Sequence, residues 1–179
     1  MPLALPIVGI GFIIREFQAS DAEPIAEIEF DPTVKRYLAL PEGSKRDWIE
    51  QVRRLGLYGW IVQSEDGQIA GSASLNRAKR KGDAELRLVI GRQSWGMSLG
   101  SKVARRLVQV AFEDLSAKAI VAVVHPDNQA SLRLVRSLRF RRRDVVREPA
   151  PPWQVGHYIY RLTRRAYNSS LCSDMPDGQ

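Results

Sequence analysis

The sequence predicts a mixed α/β (α+β) fold in which an antiparallel meander precedes a β-α-β unit. Two apolar segments, 57–63 and 69–75, flank the turn Glu65–Gln68, whose Asp-Gly pair is typical of a β-hairpin. The run Ala119–Val124 (AIVAVV) is apolar without alternation, as expected for a strand that is buried on both faces. A segment with a helical spacing of leucine and valine, starting at Leu99, lies between the meander and this strand.

The N-terminal third contains one predicted strand and two predicted amphipathic helices. In Gly11–Phe17 (GFIIREF), apolar and polar residues roughly alternate, which indicates a strand. Ser20 and Glu23 form a capping-box pattern that opens a helix, and Asp31-Pro32 ends it before a short helical restart. The second helix follows the candidate N-cap Ser44 and has apolar residues three and four apart, namely Trp48, Ile49, Val52 and Leu55, with Gly56 at its end.

The remaining predicted elements follow one another through short connections. The basic run Arg77–Lys81 makes a turn before the strand Ala84–Ile90, and Gly91–Gly100 is a loop. The next helix has one apolar face, formed by Leu99, Val103, Leu107 and Val110. The segments after the buried run are a helix from Pro126, a strand near Phe140–Val146 and a last strand at Val155–Leu162. We therefore expect a sheet of about six to seven strands flanked by helices.

Length and composition are consistent with one domain. The chain has 179 residues, which predicts a single domain at 1–165 followed by a flexible polar tail at 166–179. Cys172 is the only cysteine, so neither an intrachain disulfide nor a cysteine zinc cluster can form. The apolar N-terminal stretch has no basic start and is too short to span a bilayer, so we expect a cytoplasmic protein without a membrane partner. The net charge of +7 favours an anionic partner such as CoA, an acidic substrate or RNA.

The segment Trp95–Gly100 (WGMSLG) lies between a predicted strand and a predicted helix. Small residues at alternate positions let backbone N–H groups approach a phosphate, and a helix N-terminus adds partial positive charge. By itself such a turn is more often a plain connection.

The same segment resembles the GNAT (GCN5-related) N-acetyltransferases, in particular the RimJ/RimL-like ribosomal-protein N-terminal acetyltransferases, whose pyrophosphate loop reads W-G-x-G-x-A/G. Trp95, Gly96 and Gly100 match this pattern, while Ser98 replaces the central glycine. The resemblance implies the GNAT fold, with a mostly antiparallel sheet splayed at a cleft for acetyl-CoA. It also implies that the loop residues bind this donor: Trp95, Gly96, Met97, Ser98, Leu99, Gly100 and Ser101. A positive φ at Ser98 would carry a steric cost that glycine avoids.

Glu85 lies ten residues before Trp95, where this subgroup has a strand glutamate that faces the amine. The reaction needs a proton acceptor, because an ammonium group has no lone pair with which to attack a thioester. The resemblance therefore implies that Glu85 is catalytic, and that backbone groups of Leu88, Val89 and Ile90 bind the pantetheine. The alternative is a solvated strand glutamate that pairs with Arg87 or another neighbour.

Asn128 and Ser131 match the N-x-x-S pattern that follows a strand in this family, where these residues hold the pantetheine arm near the thioester. In the alternative interpretation Asn128 only caps the following helix. Many family members have a tyrosine where this chain has Val135, so Ser131 or a water is the candidate acid for the CoA thiolate. Arg139 replaces a glycine that usually precedes the phenylalanine at the end of this helix.

Taken together, these motifs predict an N-acetyltransferase that moves the acetyl group of acetyl-CoA to a primary amine in a ternary complex. The amine is that of a protein N-terminus or of a small molecule, and the resemblance makes a homodimer reasonable. Two alternatives remain: a CoA-binding module without transferase activity, and a basic protein associated with RNA or the ribosome. The second alternative depends on three basic clusters: Arg77–Lys81, Arg139–Arg143, and Arg161 with Arg164-Arg165. His125 and His157 lie on separate predicted elements, and we expect no metal site.

Overall fold

The computed structural model describes residues 5–38, 40, 43–55, 59–148 and 154–173. Its strands are β1 (Ile7–Gly9), β2 (Phe12–Glu16), β3 (Trp60–Ser64), β4 (Ile69–Arg77), β5 (Asp83–Ile90), β6 (Ala119–Val124), β7 (Arg141–Val145) and β8 (Tyr158–Thr163). Its helices are α1 (Ala22–Glu29), α2 (Pro32–Lys35), α3 (Lys45–Leu55), α4 (Leu99–Glu113), α5 (Gln129–Ser137) and α6 (Arg164–Ser173).

All eight strands form one sheet in the order β1-β2-β3-β4-β5-β6-β8-β7. Every neighbouring pair is antiparallel except β5 with β6, which is parallel. The predicted mixed α/β architecture and mostly antiparallel sheet are confirmed. The strand count is higher than the predicted six to seven, because the apolar N-terminal stretch contributes β1 as a hairpin partner of β2.

Two apolar layers sandwich the sheet. Helices α4 and α5 pack on one face, where Val103 and Leu132 join Leu86 and Ile120 in a common core. Helices α1 and α3 pack on the other face, where Ile25 and Val52 join Ile61 and Val89. Because successive strand residues point to opposite faces, neighbouring residues of β5 reach different layers. Each face of β5 is therefore a distinct environment.

The parallel pair β5–β6 diverges after three residues. Asp83–Glu85 is in register with Ala119–Val121, and the pairing stops there. Beyond that point β5 continues to Ile90 on its β4 partner, and β6 continues to Val124 on its β8 partner. The sheet is therefore splayed between 86–90 of β5 and 122–124 of β6.

The first helix begins differently from the prediction. Its expected capping box, Ser20 with Glu23, is wrong. The box instead involves Gln18, whose backbone N–H donates to the Asp21 carboxylate at 2.7 Å, at the start of a short 3-10 turn. Glu23 forms an ion pair with Arg53 of α3 at 2.8 Å. The second predicted cap is confirmed, since the hydroxyl of Ser44 accepts a hydrogen bond from the backbone N–H of Asp47 at 3.1 Å.

The C-terminal segment is helical up to Ser173, where the sequence predicts a flexible tail from residue 166. Aromatic stacking explains the difference, because the Tyr167 ring lies on the Phe112 ring with centroids 4.7 Å apart. The Arg164 guanidinium also donates to the carbonyl of Ala117 at 3.1 Å. Residues 174–179, the predicted helix end at Gly56, the start of the predicted strand 57–63 and the segment 149–153 lie outside the described residues. None of the helices in the described part is long and apolar enough to cross a membrane.

Candidate active site

The splay between β5 and β6 forms the centre of the candidate site. Within the described residues, the facing edges of 86–90 and 122–124 have no strand partner across the gap. Backbone N–H and C=O groups on such edges are obligatory hydrogen-bonding groups, and they can pair with an extended ligand as they would with a strand. Leu88, Val89 and Ile90 lie on the β5 side of the gap, as the sequence predicts. These edges fit an amide-bearing chain such as pantetheine.

The loop that follows β5 is tied to the end of that strand. The Trp95 indole N–H donates to the carbonyl oxygen of Ile90 at 2.8 Å. Gly100, in the first turn of α4, packs on the same strand, since a Cβ built there would lie 3.5 Å from Cγ1 of Ile90. Leu99 is buried, whereas Met97 is 68% exposed. The loop is therefore anchored at both ends and open to solvent in the middle.

Two loop residues have left-handed backbone conformations. Gly96 has φ +80, and a Cβ built there would meet nothing within 4 Å. Ser98 has φ 57 and ψ 8. The predicted steric cost at Ser98 is therefore present, on the order of 1 kcal/mol for a non-glycine residue. Open space at Gly96 leaves room for a ligand at the loop.

The N-terminus of α4 has no side-chain cap. Ser98 is its N-cap residue, and its hydroxyl makes no capping hydrogen bond. The first-turn N–H groups of an α-helix have no partner within the helix, so they are left to solvent or a ligand. Ser101 and Lys102 are exposed in this first turn. The loop therefore presents backbone donors, the positive end of a helix and a lysine, a combination that suits a pyrophosphate.

Glu85 is the last β5 residue that pairs across to β6, with Val121 opposite it. Its side chain is half-buried. Burial raises the pKa of Glu85, because a charged carboxylate loses solvation there. The alternative pairing with Arg87 is not seen, and no ion pair to Glu85 forms within the described residues. Arg87 is instead paired with Glu29.

Glu29 is a second carboxylate, on the same side of the sheet as Glu85. The sequence analysis does not identify it. It is 2% exposed, and its Oε1 accepts a hydrogen bond from the Ser72 hydroxyl at 3.0 Å. Its Oε2 lies 3.8 Å from Nη2 of Arg87. Burial raises the pKa of Glu29, while Arg87 and Ser72 act in the opposite direction. A signal was present in the sequence, since Glu29 is four residues after Ile25 and so shares its buried helix face.

Asn128 and Ser131 lie at the start of α5, beside the end of β6. The Asn128 side-chain oxygen accepts a hydrogen bond from the backbone N–H of Ser131 at 3.0 Å, so the capping interpretation is confirmed. Ser131 is half-buried. Val135 is buried in the core, where it packs with the α4 side of the sheet. Contact of Asn128 or Ser131 with a thioester stays a prediction.

Three rings meet at the open end of β6. The His125 ring lies edge-on to Tyr37, with centroids 5.5 Å apart, and to His157, with centroids 5.1 Å apart. Nδ1 of His125 accepts a hydrogen bond from the backbone N–H of Asp127 at 3.1 Å. His157 is 5% exposed, and burial, followed by the nearby His125, lowers its pKa.

The sequence places the two histidines on separate elements and does not show that they are neighbours: His125 directly follows β6, and His157 directly precedes its antiparallel partner β8. Nε2 of His157 is buried and has no hydrogen-bond partner among the described residues. The described residues contain no group of three or more side chains that could hold a metal ion. Tyr37, His125 and His157 therefore form a compact ring cluster just beyond the end of β6.

The three predicted basic clusters differ in their surroundings. Arg77–Lys81 lies at the exposed turn between β4 and β5. Arg139–Arg143 lies on the exposed edge formed by the end of α5 and β7. In the third cluster, Arg161 pairs with the buried Asp83 at 3.0 Å, and Arg164 bonds backbone carbonyls. Arg161 and Arg164 of that cluster therefore stabilise the fold and contribute little to an exposed basic surface.

Comparisons with known proteins identify a family and a shared fold. A family model described as Acetyltransferase (GNAT) domain matches residues 12–141. The chain is 27% identical over 166 residues to Uncharacterized N-acetyltransferase p20 of Bacillus licheniformis, covering 86% of this chain and 93% of that one.

Two solved structures share the fold. A GNAT-family acetyltransferase from Bacillus anthracis matches with a TM-score of 0.77 and 19% identity, over 90% of this chain and 99% of that one. Mycobacterium smegmatis RimJ, solved in complex with CoA-disulfide, matches with a TM-score of 0.70 and 12% identity, over 90% and 88%. At these identities the likeness shows the fold.

Proposed function

The chain belongs to the GNAT family of acetyltransferases, which use acetyl-CoA as donor, and we propose that it acetylates a primary amine by direct attack within a ternary complex. The donor supplies an activated acetyl group as a thioester. The proton of the ammonium first goes to a base of the protein, and the neutral amine nitrogen then attacks the carbonyl carbon. The C–S bond breaks, the nitrogen loses a second proton, and the thiolate takes up one proton. Free CoA and an N-acetylated product leave.

The observation that carries this proposal is the position of Glu85. It is the last residue paired before the sheet splays, so it lies beside the point where the cleft opens. A base works best when its pKa is near the working pH, and burial moves the pKa of Glu85 in that direction. We propose that Glu85 accepts the ammonium proton, directly or through one water.

The donor is proposed to lie along the cleft, held by groups of this chain at two places. Backbone groups of Leu88, Val89 and Ile90 would pair with the pantetheine amides. The loop from Trp95 to Ser101 would hold the pyrophosphate through N–H groups at the N-terminus of α4. Asn128 and Ser131 complete the proposed binding set from the opposite side of the splay.

Ser131 is the proposed proton donor to the departing thiolate. It lies in the first turn of α5, half-buried, and its backbone is fixed by Asn128. Val135, at the position of the usual tyrosine, is an apolar core residue and has no proton to give. A thiolate is a good leaving group, so a weak acid such as serine or a water suffices here.

The first experiment is calorimetric titration with acetyl-CoA of the wild-type protein and of Gly96→Trp. We expect the variant to lose binding, because the bulky side chain fills the open space at the loop. The matched control is Gly67→Trp, since Gly67 has a similar φ of +83 in the hairpin turn after β3. If Gly96→Trp binds acetyl-CoA as tightly as Gly67→Trp does, the loop does not hold the donor.

The acceptor is to be identified by turnover with two panels of amines, one of peptides with free N-termini and one of small-molecule amines. The net charge of +7 disfavours a polycationic acceptor, so we expect peptides or monoamines to be used. Preferential use of polyamines would contradict this expectation. Binding of acetyl-CoA without release of CoA in the presence of any amine of either panel would identify a donor-binding module and contradict the transferase assignment of this site.

A further inference from the structure

One edge of the molecule carries a dense set of exposed arginines. Residues 133–148 contain seven arginines, no lysine and two acids, Asp144 and Glu148. All seven arginines are exposed. They extend over the outer side of α5, the turn after it and β7, which is the last strand in the sheet. This arginine edge consists of Arg133, Arg136, Arg139, Arg141, Arg142, Arg143 and Arg147.

Few of these charges are used within the fold. Arg147 pairs with Asp144 at 3.3 Å, and both side chains are largely exposed. The Arg142 guanidinium lies over the Tyr158 ring, 3.7 Å from its centroid. No other ion pair involves the arginine edge within the described residues. By contrast, Arg161 on the neighbouring strand is paired with the buried Asp83.

Arg139 occupies a backbone position that favours glycine. It has φ +63 and follows the last turn of α5. The backbone N–H of Arg139 donates to the carbonyl of Arg136, and that of Phe140 donates to the carbonyl of Val135. These two bonds form a Schellman motif, in which the left-handed residue is usually glycine because it has no Cβ to clash. The chain thus has an arginine at a position where glycine would remove the backbone strain.

We propose that the arginine edge binds single-stranded RNA. A planar guanidinium binds phosphate through two parallel hydrogen bonds and stacks on exposed bases, and single-stranded RNA offers both groups. The stack of Arg142 on Tyr158 shows a guanidinium lying on an aromatic ring at this edge. Strand β7, with Arg141, Arg142 and Arg143, is separated from the splayed cleft by β8 and β6 in the sheet order, so RNA bound along this strand would leave the acetyl-transfer site accessible.

The test is fluorescence anisotropy of a labelled oligouridylate over a series of salt concentrations. For single strands, the logarithm of the association constant falls with the logarithm of the salt concentration, with a slope of about −0.7 for each phosphate neutralised. We therefore expect the magnitude of this slope to fall by about 0.7 in Arg139→Gly and by about 1.4 in Arg141→Ala/Arg143→Ala. The matched control is Lys79→Ala/Lys81→Ala, which removes two exposed charges from the turn before β5. This control should leave the slope unchanged.

Arg139→Gly offers a second readout, because its stability and its RNA affinity should move in opposite directions. Relief of the left-handed strain should raise Tm by about 3 °C, while RNA binding weakens. Ser116→Gly is the control, since Ser116 has φ +53 at an exposed position after α4. It should raise Tm similarly and leave RNA binding unchanged.

Four results would overturn the proposal. The first is absence of oligouridylate binding by the wild-type protein at low salt. The second is an equal loss in the Lys79→Ala/Lys81→Ala control. The third is competition by polyglutamate as effective as that by RNA, which would identify an acidic protein partner. The fourth is a loss of acetyl-CoA affinity in the Arg141→Ala/Arg143→Ala variant, which would assign these arginines to the donor.

Discussion

Glu29 and Glu85 are two carboxylates on the same side of the sheet, and they have opposite surroundings. Glu29 is buried, accepts a hydrogen bond from Ser72 and faces Arg87. Glu85 is half-buried, at the start of the splay, and forms no ion pair among the described residues. Burial raises the pKa of both groups. The same direction of shift thus occurs in one enclosed group and in one group beside an open cleft.

The difference teaches that a perturbed pKa alone does not identify a catalytic acid or base. Ion-pair networks inside a fold perturb pKa values as active sites do. Glu29 is 2% exposed, and it forms an ion pair with Arg87. Of these two described glutamates, only Glu85 combines a raised pKa with a position at the cleft. We therefore expect mutations of the two glutamates to affect different observables.

The largest expected effect is on turnover. Glu85→Gln should lower kcat by about 100-fold or more, in the range found for loss of a general base. Its affinity for acetyl-CoA should change little, because the amide is isosteric and the proposed donor contacts are elsewhere. Steady-state kinetics and calorimetry measure the two quantities, with Glu65→Gln in the exposed turn after β3 as the control. Unchanged turnover in Glu85→Gln would remove Glu85 from the mechanism.

The next effect is on stability. Glu29→Gln leaves the Arg87 charge without its buried carboxylate, and breaking a buried pair typically costs about 3 kcal/mol. We expect the free energy of unfolding in urea to fall by about that amount. Turnover of the folded variant should fall far less than that of Glu85→Gln. A stable Glu29→Gln protein that is inactive would reverse the assignments of the two glutamates.

The pH dependence separates the two groups more finely. Since the pKa of Glu85 is raised above 4.5, kcat/KM should fall with acidification as the carboxylate becomes protonated through that raised pKa. Below it, the loss should approach tenfold per pH unit, as for one essential deprotonated group. Glu85→Gln should flatten this acidic limb, whereas Glu29→Gln should keep it. An acidic limb that persists in Glu85→Gln would belong to another base.

Much of the fold follows from local signals in the sequence. The Asp-Gly turn, the apolar run of β6 and the helical spacing of Leu99 and its successors are all found as predicted. The Ser20 capping box is wrong because Asp21 receives stronger partners, Arg15 and the N–H of Gln18. Helix α6 is missed because its anchor, the stack of Tyr167 on Phe112, joins residues far apart in the chain.

In the candidate site, too, some residues are predicted by local motifs and others are found only through long-range contacts. Glu85 and the loop after β5 match the spacing of a family motif, so the sequence alone predicts them as site residues. The pairing of Glu29 with Arg87 and the contact of His125 with His157 arise from strand and helix neighbours that no local pattern encodes. Long-range partners decide whether a carboxylate is enclosed or available, and they are visible only when the sheet order is known.

The smallest expected effect concerns the donor loop and tests whether it is independent of both glutamates. Ser98 has φ 57, and glycine adopts that conformation without a Cβ clash, so Ser98→Gly should stabilise the protein by about 1 kcal/mol. For a chain of this size the gain corresponds to a rise in Tm of about 3 °C, measurable by calorimetry. The acidic limb of kcat/KM should stay in place, because Ser98 touches neither Glu29 nor Glu85. A shift of that limb in Ser98→Gly would show that the loop, and not burial at the splay, sets the pKa of the base.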